Sequence, residues 1–356
     1  MANLRLRNFK CFEDTLITLR QLSLLVGYNS VGKSSVIQSL LLLHDALFIK
    51  QARVFINGEH GWGSGYSKDL INDKAQDSVL HISLKNDTSI DFVELESRDP
   101  MDLFLLVNQV GESDFSSTPI YFLSAERLGP RTCQTLSNLK SPYVGPHGEN
   151  TAQVLLENSY KKIDPERHFP DSKNPYLEYQ VNQWLQYIIP GSAVTAISSP
   201  DTMAARIAVV DNNHPSLNLF ATNVGFGISY ILPIIVTCLL AEKGSYVLLE
   251  NPEAHLHPAA QSAMGRFLAI MSSYGLNIIV ESHSDYIVTG TQLFVAGNPD
   301  FRNNVVINFF GRKENGDITV KEITMDYKAI LSEWPQGFID QAARDFRLLE
   351  TYRRGH

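Results

Sequence analysis

The stretch Gly27-Tyr28-Asn29-Ser30-Val31-Gly32-Lys33-Ser34 decides how the rest of the chain is read. It fits G-x-x-x-x-G-K-[ST], a phosphate-binding loop, and the pattern carries weight only between a strand and a helix. Both are present. Leu22-Ser23-Leu24-Leu25-Val26 is an apolar run of strand length, and Val36, Ile37, Leu40, Leu41, Leu43, Leu47 and Phe48 recur at helical spacing. Gly27 and Gly32 let the backbone curl until its N–H groups point at an anion, and the helix start adds a favourable dipole. Lys33 is placed to reach the outer phosphates of a nucleoside triphosphate, and Ser34 to offer a hydroxyl to Mg²⁺. Asn29, Ser30, Gly32 and Ser35 complete the candidate nucleotide-binding set. A glycine-rich turn without a ligand is the bland alternative, and the flanking strand and helix speak against it.

The 356 residues are enough to bury a sizeable core and suggest about two domains. A composition 44% hydrophobic and 19% charged is that of a soluble globular protein. The net charge of −8 excludes a global basic field, so any nucleic-acid contact needs a local patch. Arg127, Arg131, Lys161, Lys162 and Arg167 are the positive charges on offer, with a solvated face as the simpler explanation. Cys11, Cys133 and Cys238 are few and scattered, which fits a reducing cytosol. Residues 1–10 hold no apolar run of signal-peptide length. Segment 228–241 is uncharged but shorter than the roughly 20 residues that span a bilayer, and it carries Pro233. It reads as a buried helix. The expectation is a cytoplasmic protein with no membrane partner.

Residues 4–9 alternate like a strand, with 15–19 as its antiparallel partner. Short β-type runs follow at 79–84, 90–95 and 103–110, separated by Asn, Asp and Gly turn signals. Segment 58–67, rich in glycine, reads as a surface loop. Residues 120–123 are an apolar strand followed by Ser124-Ala125-Glu126-Arg127. Helices are expected at 150–160 and 176–189, and strands at 193–198 and 206–210. Beyond Asn223 the pattern alternates: helix 228–241, strand 246–249, helix 259–272, strand 276–280, helix 285–295, strands 305–310 and 317–323. Such alternation predicts a parallel sheet covered by helices. The tail 338–352 is a mixed-charge helix. A long coiled coil is missing.

Three later segments make sense beside the phosphate loop. Tyr246-Val247-Leu248-Leu249-Glu250-Asn251-Pro252-Glu253 is a buried strand ending in an acid that can hold Mg²⁺ next to Ser34. An Asn-Pro turn after a core strand is the plain reading of the same residues. Glu253 with His255 and His257 invites a zinc reading, but i, i+2 side chains do not share a helix face and Pro258 follows at once. Asn223-Val224-Gly225-Phe226-Gly227-Ile228-Ser229 opens a helix with two glycines, again suited to an anion. Ile278-Ile279-Val280-Glu281-Ser282-His283-Ser284 ends a strand in a histidine that can sense a terminal phosphate or serve structure alone.

In this order the motifs resemble those of ABC-type ATPases, within them the SMC-like and OLD-family branch. Leu6-Arg7-Asn8-Phe9-Lys10-Cys11-Phe12 is similar to the opening strand of that group, and Gly27 to Ser34 to its Walker A loop. Gly225, Gly227 and Ser229 look like its signature loop, Glu250 to Pro258 like its Walker B and following turn, and His283 like its switch histidine. Trp334-Pro335-Gln336-Gly337-Phe338-Ile339-Asp340 resembles a tail of small bacterial AAA-type ATPases.

The resemblance implies an α/β P-loop NTPase of ABC-ATPase-head type: a mixed sheet, an N-terminal antiparallel β-layer and an inserted α+β lobe. It places the ATPase core at 1–50 and 220–330, the inserted β-layer and helical lobe at 51–219, and a helical tail at 331–356. It implies ATP and Mg²⁺ as cofactors, with Ser34 and Glu250 at the metal and Glu250, Glu253 and His283 as catalytic residues. Partners follow from the same resemblance: a homodimer pairing head to tail around ATP, with higher oligomers open, and a separate effector, a nuclease in an anti-phage system. The alternative is a nucleotide-gated DNA clamp or scaffold, with nucleic acid met through the assembly. One departure matters. The family has Asp then Glu before the proline, whereas Glu250-Asn251 stands here, so the water-activating base is missing or moved to Glu253.

Overall fold

The computed structural model describes residues 1–58, 63, 65–111, 115–211, 214–223, 225–334 and 341–354. The chain opens with a hairpin, β1 (Ala2–Phe9) against β2 (Phe12–Leu19), and continues into β3 (Leu22–Gly27), buried along its whole length. The phosphate loop then leads into α1 (Lys33–Ile49). Next come β4 (Arg53–Phe55), β5 (Val79–Lys85), β6 (Ile90–Glu96) and β7 (Phe104–Val110), which extend the hairpin into an antiparallel sheet ordered β2-β1-β5-β6-β7-β4. After β8 (Ile120–Leu123) the chain builds a smaller layer from β9 (Gln134–Thr135), α2 (Thr151–Asn158), α3 (Leu177–Ile188), β10 (Ser192–Ser199), β11 (Ala204–Asp211) and β12 (His214–Phe220).

The remaining elements alternate as the sequence pattern predicts: α4 (Phe226–Leu240), β13 (Tyr246–Glu250), α5 (Pro258–Ser273), β14 (Asn277–Glu281), α6 (Asp285–Gly297), β15 (Val305–Arg312) and β16 (Ile318–Ile323), with the tail helix α7 (Gln341–Arg354) last. The central sheet runs β16-β15-β3-β14-β13-β8, parallel except for the edge strand β16. Its outer strand β8 therefore comes from within 51–219. The Trp334–Asp340 motif lies outside the described residues after Trp334, as do Val224 and residues 59–62 and 64 of the 58–67 loop.

Because side chains alternate across a strand, the sheet feeds two cores. Leu24, Val26, Val247, Leu249, Ile278 and Val280 face the helices α3 to α6. Leu25, Leu248, Ile279 and Phe310 face α1, which lies between this sheet and the antiparallel one. That sandwich explains why α1 is apolar nearly all round: Leu40, Leu41, Leu42 and Leu43 are all fully buried. β12 was not legible in sequence, since Pro215 argues against a strand; it is accommodated at the sheet edge, where a missing N–H costs little.

The uncharged segment expected as a buried helix is α4, and a buried cation holds each of its halves. Arg167 Nη1 donates to the carbonyls of Cys238, Leu239 and Ala241, satisfying the C-terminal carbonyls that lack helical partners. Arg127 Nε donates to the Tyr230 carbonyl (3.1 Å). The expectation that Arg127 and Arg167 lie on a solvated or nucleic-acid-facing surface is therefore corrected: they are 2% and 4% exposed. A guanidinium distributes several N–H donors over a plane, so it can tie off carbonyls that no apolar side chain could satisfy.

Helices α5 and α6 meet where glycine is required. A Cβ on Gly265 would lie 2.3 Å from the Ile287 carbonyl oxygen, and one on Gly290 would lie 2.1 Å from that of Ser262. Neither oxygen can swing aside, because both belong to helical backbone. Gly265→Ala and Gly290→Ala should each cost about 1–3 kcal/mol, read as a lower Tm in thermal unfolding, whereas Gly297→Ala, with open space around it, should leave Tm nearly unchanged.

Candidate functional site

The parallel register brings the chemistry to one edge. Glu250 pairs with Glu281 across β13 and β14, and Glu281 pairs with Leu25 on β3, two residues before Gly27. The carboxyl ends of three adjacent strands thus open beside the phosphate loop, where α/β sheets hold their ligands. The loop itself needs its glycines. Gly27 has φ 133°, and a Cβ there would sit 2.0 Å from the Phe310 carbonyl oxygen; Gly32 has φ 93° and is closed off by Cys11 and Phe12. Gly32 caps α1 with no side-chain hydrogen bond and no acid follows in the first turn, which leaves the helix N–H groups free for an anion.

Lys33 is 3% exposed, and its Nζ donates to the carbonyls of Gly27 (3.2 Å) and Tyr28 (2.6 Å). Burial lowers its pKa, opposed by the charges of Glu281 and Glu253. Asn29 and Ser30 are exposed at the rim, where Arg312 Nη2 donates to the Ser30 carbonyl (3.1 Å). The Ser35 hydroxyl hydrogen-bonds Cys11. A cleft of about 740 Å³ adjoins this rim, lined by Lys10, Cys11, Asn72, Lys74 and Arg312 among others.

Burial raises the pKa of each facing carboxyl group. For Glu250 the Ala125 N–H (3.0 Å to Oε2) and the Arg127 charge partly offset it. Glu253 takes the His283 N–H on Oε1 (2.7 Å). Glu281 is pushed up to about 7, with the Ser34 hydroxyl offsetting and the Glu250 charge adding. Asn251 Oδ1, Glu253 Oε2 and Glu281 Oε2 are buried with no hydrogen-bond partner. Buried acceptors in that state are costly unless something completes them. A hard cation with oxygen ligands, beside Ser34, fits this donor set. His283 stands open to solvent, its pKa lowered by partial burial and by Lys33.

Lys33, Ser34, Glu250, Glu253 and the backbone of His283 thus converge, and Glu281 joins them. The sequence reading passed over Glu281; an ionisable residue closing an otherwise apolar strand beside the loop was the available signal. Asn251 has φ 45°, a conformation Asn tolerates better than Glu does, and its N–H bonds the Glu281 carbonyl. The zinc reading is not met: His257 caps α5, the His255 ring packs against Phe226 and Tyr230, and no group of three or more His, Cys, Asp or Glu side chains is placed to hold a metal by itself among the described residues.

The Gly225 turn borders the turn after Glu253: a Cβ on Gly227 would lie 3.2 Å from the His255 carbonyl oxygen. Gly225 and Phe226 are exposed, a Cβ on Gly225 would meet nothing, and α4 starts without a side-chain cap. Gly225 and Gly227 border an apolar cleft of about 540 Å³ shared with His255 and Leu256, whereas Ser229 faces a small cavity with Arg131 and Arg206.

The glycine loop, the buried lysine and the acidic ends of parallel strands define a P-loop NTPase with the α/β fold of an ABC-ATPase head. Residues 22–289 match the family described as "AAA domain, putative AbiEii toxin, Type IV TA system", and the chain belongs to that family. Its fold is similar to an SMC head bound to the C-winged helix domain of ScpA (13% identity, 90% of this chain and 97% of that chain, TM-score 0.56). It is also similar to the Pyrococcus furiosus Smc head with an extended coiled coil, bound to the C-terminal domain of ScpA (11% identity, 99% and 100%, TM-score 0.52). No curated protein matches the sequence. No helix among the described residues is long and apolar enough to cross a membrane.

The raised Glu281 group makes stability depend on pH. Between its ordinary 4.5 and about 7 the folded chain keeps a proton that the unfolded chain has released. Stability therefore falls as pH rises through that window and levels off above it. Glu281→Gln should raise the Tm of the nucleotide-free protein by a few degrees near pH 8 and hardly at all near pH 5; an equal shift at both would show that the carboxylate carries no such cost.

Proposed function

We propose that this chain is a Mg²⁺-dependent ATPase that hydrolyses slowly, pairs head to tail around ATP and controls a separate effector. The carrying observation is the set of unpartnered buried oxygens on Asn251, Glu253 and Glu281, with the charges of the two glutamates acting on Lys33, which opens an uncapped helix. A triphosphate with its cation complements both halves. Lys33, the loop N–H groups and Ser34 would hold the phosphates, Ser34, Glu250 and Glu281 the cation, and the cleft beside Lys10 and Arg312 the nucleoside. Bound Mg²⁺ neutralises charge on the phosphates.

The residues then divide the work. Glu253, its Oε1 fixed by the His283 N–H, keeps Oε2 for a proton from water, and its raised pKa brings it nearer the working pH of a general base. Asn251 cannot take that proton, which accounts for a slow rate. His283, neutral at pH 7 because its pKa is lowered, is placed to sense the terminal phosphate. The exposed Gly225 turn, with an uncapped helix N-terminus, suits it to close over the nucleotide of a second copy.

The motif resemblance to the OLD-family branch supports an effector in trans, a nuclease in an anti-phage system. The ScpA domains seen bound to SMC heads lend support to a protein partner. The DNA-clamp reading is weakened by the burial of Arg127 and Arg167, which removes two cations from any basic patch.

Light scattering should show the mass doubling with ATP and Mg²⁺ for wild type and not for Lys33→Ala. Phosphate release should fall at least about ten-fold in Glu250→Gln and in Glu253→Gln. Equal rates in all three proteins would remove both carboxylates from catalysis, and an unchanged mass with bound ATP would end the pairing model.

A further inference from the structure

Arg127 is a buried cation whose bonds go to backbone carbonyls. Nη1 donates to the Ser124 carbonyl (2.6 Å) and to that of Glu250 (2.7 Å), Nη2 to that of Asn251 (2.7 Å), and Nε to that of Tyr230 (3.1 Å). Four of its five N–H groups are thus used on three separate pieces of chain. Ser124 follows β8, Glu250 ends β13 with Asn251 next in the chain, and Tyr230 lies in the second turn of α4. Burial holds its pKa down at about 10, still well above neutrality, so the cation is retained.

The contact continues outward as a stack. The guanidinium carbon lies 5.5 Å from the centroid of the Tyr230 ring. That ring meets the His255 ring edge-on at 4.5 Å, and His255 lies against Phe226 at 5.4 Å. Phe226 is 55% exposed and is the first residue of α4, between Gly225 and Gly227. His255 sits in the turn after Glu253 with φ 61°. Arg127, Tyr230, His255 and Phe226 therefore form an unbroken line from the carbonyls that aim Glu250 and the 251–253 turn to the surface of the glycine turn.

We propose that Arg127 is a positioning residue that locks the end of β13 and the start of α4 into one unit, so that displacement of the Gly225 turn moves the Glu250–Glu253 segment with it. α4 carries no charged side chain, so its N-terminal half has no ion pair to hold it against the acidic edge of the sheet. Packing of aliphatic side chains alone permits sliding, whereas a planar fork bonded to carbonyls on both sides fixes distance and angle together. Lysine, with donors radiating from a single nitrogen, cannot span the same carbonyls. The inference rests on the ATPase reading for its catalytic consequence; the mechanical linkage stands without it.

Two measurements on Arg127→Lys test the linkage. In ATP turnover, kcat per folded molecule should fall about ten-fold or more with KM within about two-fold of wild type. In amide hydrogen exchange without nucleotide, segments 226–232 and 250–255 should exchange about ten-fold faster together, with α1 and the antiparallel sheet unchanged. Wild-type kcat, faster exchange in one segment alone, or a uniform rise across the protein would each overturn the proposal. Should Arg127→Lys not fold, His255→Ala, at an exposed position, cuts the same line; faster exchange at both 226–230 and 250–253 is then expected, and an effect confined to its own turn refutes it. If wild type itself turns over no ATP, the catalytic reading fails while the exchange result still decides the linkage.

Discussion

Lys33 is a cation in a nearly dry pocket, and the site depends on how its charge is balanced. Burial lowers its pKa, and the charges of Glu281 and Glu253 oppose that shift. The same burial raises those carboxyl groups, so each partner is costly without the others. The ammonium donates to the carbonyls of Gly27 and Tyr28. On the proposed function, a phosphate in the same hollow would offer that ammonium a stronger, charged acceptor. The loop glycines, the parallel register and the two cores serve to keep these charges close while excluding water.

This arrangement divides the protein. Most of the central sheet is apolar on both faces and sealed between α1 on one side and α3 to α6 on the other. The buried, unpartnered oxygens of Asn251, Glu253 and Glu281 lie where adjacent parallel strands end, an edge where α/β sheets hold their ligands. Elsewhere the chain answers its buried carbonyls with care: Arg167 closes the C-terminus of α4, and the Ser284 hydroxyl accepts the first free N–H groups of α6.

Much of the architecture was legible because strands and helices here advertise their period. The alternation after Asn223 and the runs at 79–84, 90–95 and 120–123 became elements close to where their patterns placed them. The phosphate loop was legible because glycine and lysine at fixed spacing have few other uses. Arg127 and Arg167 were misread because charge is ordinarily a sign of solvent, and no local pattern reveals carbonyls arriving from elsewhere in the chain. Glu281 was overlooked for a related reason: its meaning comes from Ser34 and Glu250, which are remote in sequence and adjacent only across the sheet.

By itself the sequence determined what depends on neighbours along the chain: the strand–loop–helix around Gly27 to Ser34 and the helical and extended periods. The tertiary structure decided what depends on register and burial. It set Glu250 beside Glu281, turned Arg127 inward onto four carbonyls, and left Gly225 open at the surface. The reason is physical. Backbone geometry is specified over a few residues, whereas desolvation and electrostatic coupling belong to groups that only the folded chain brings together.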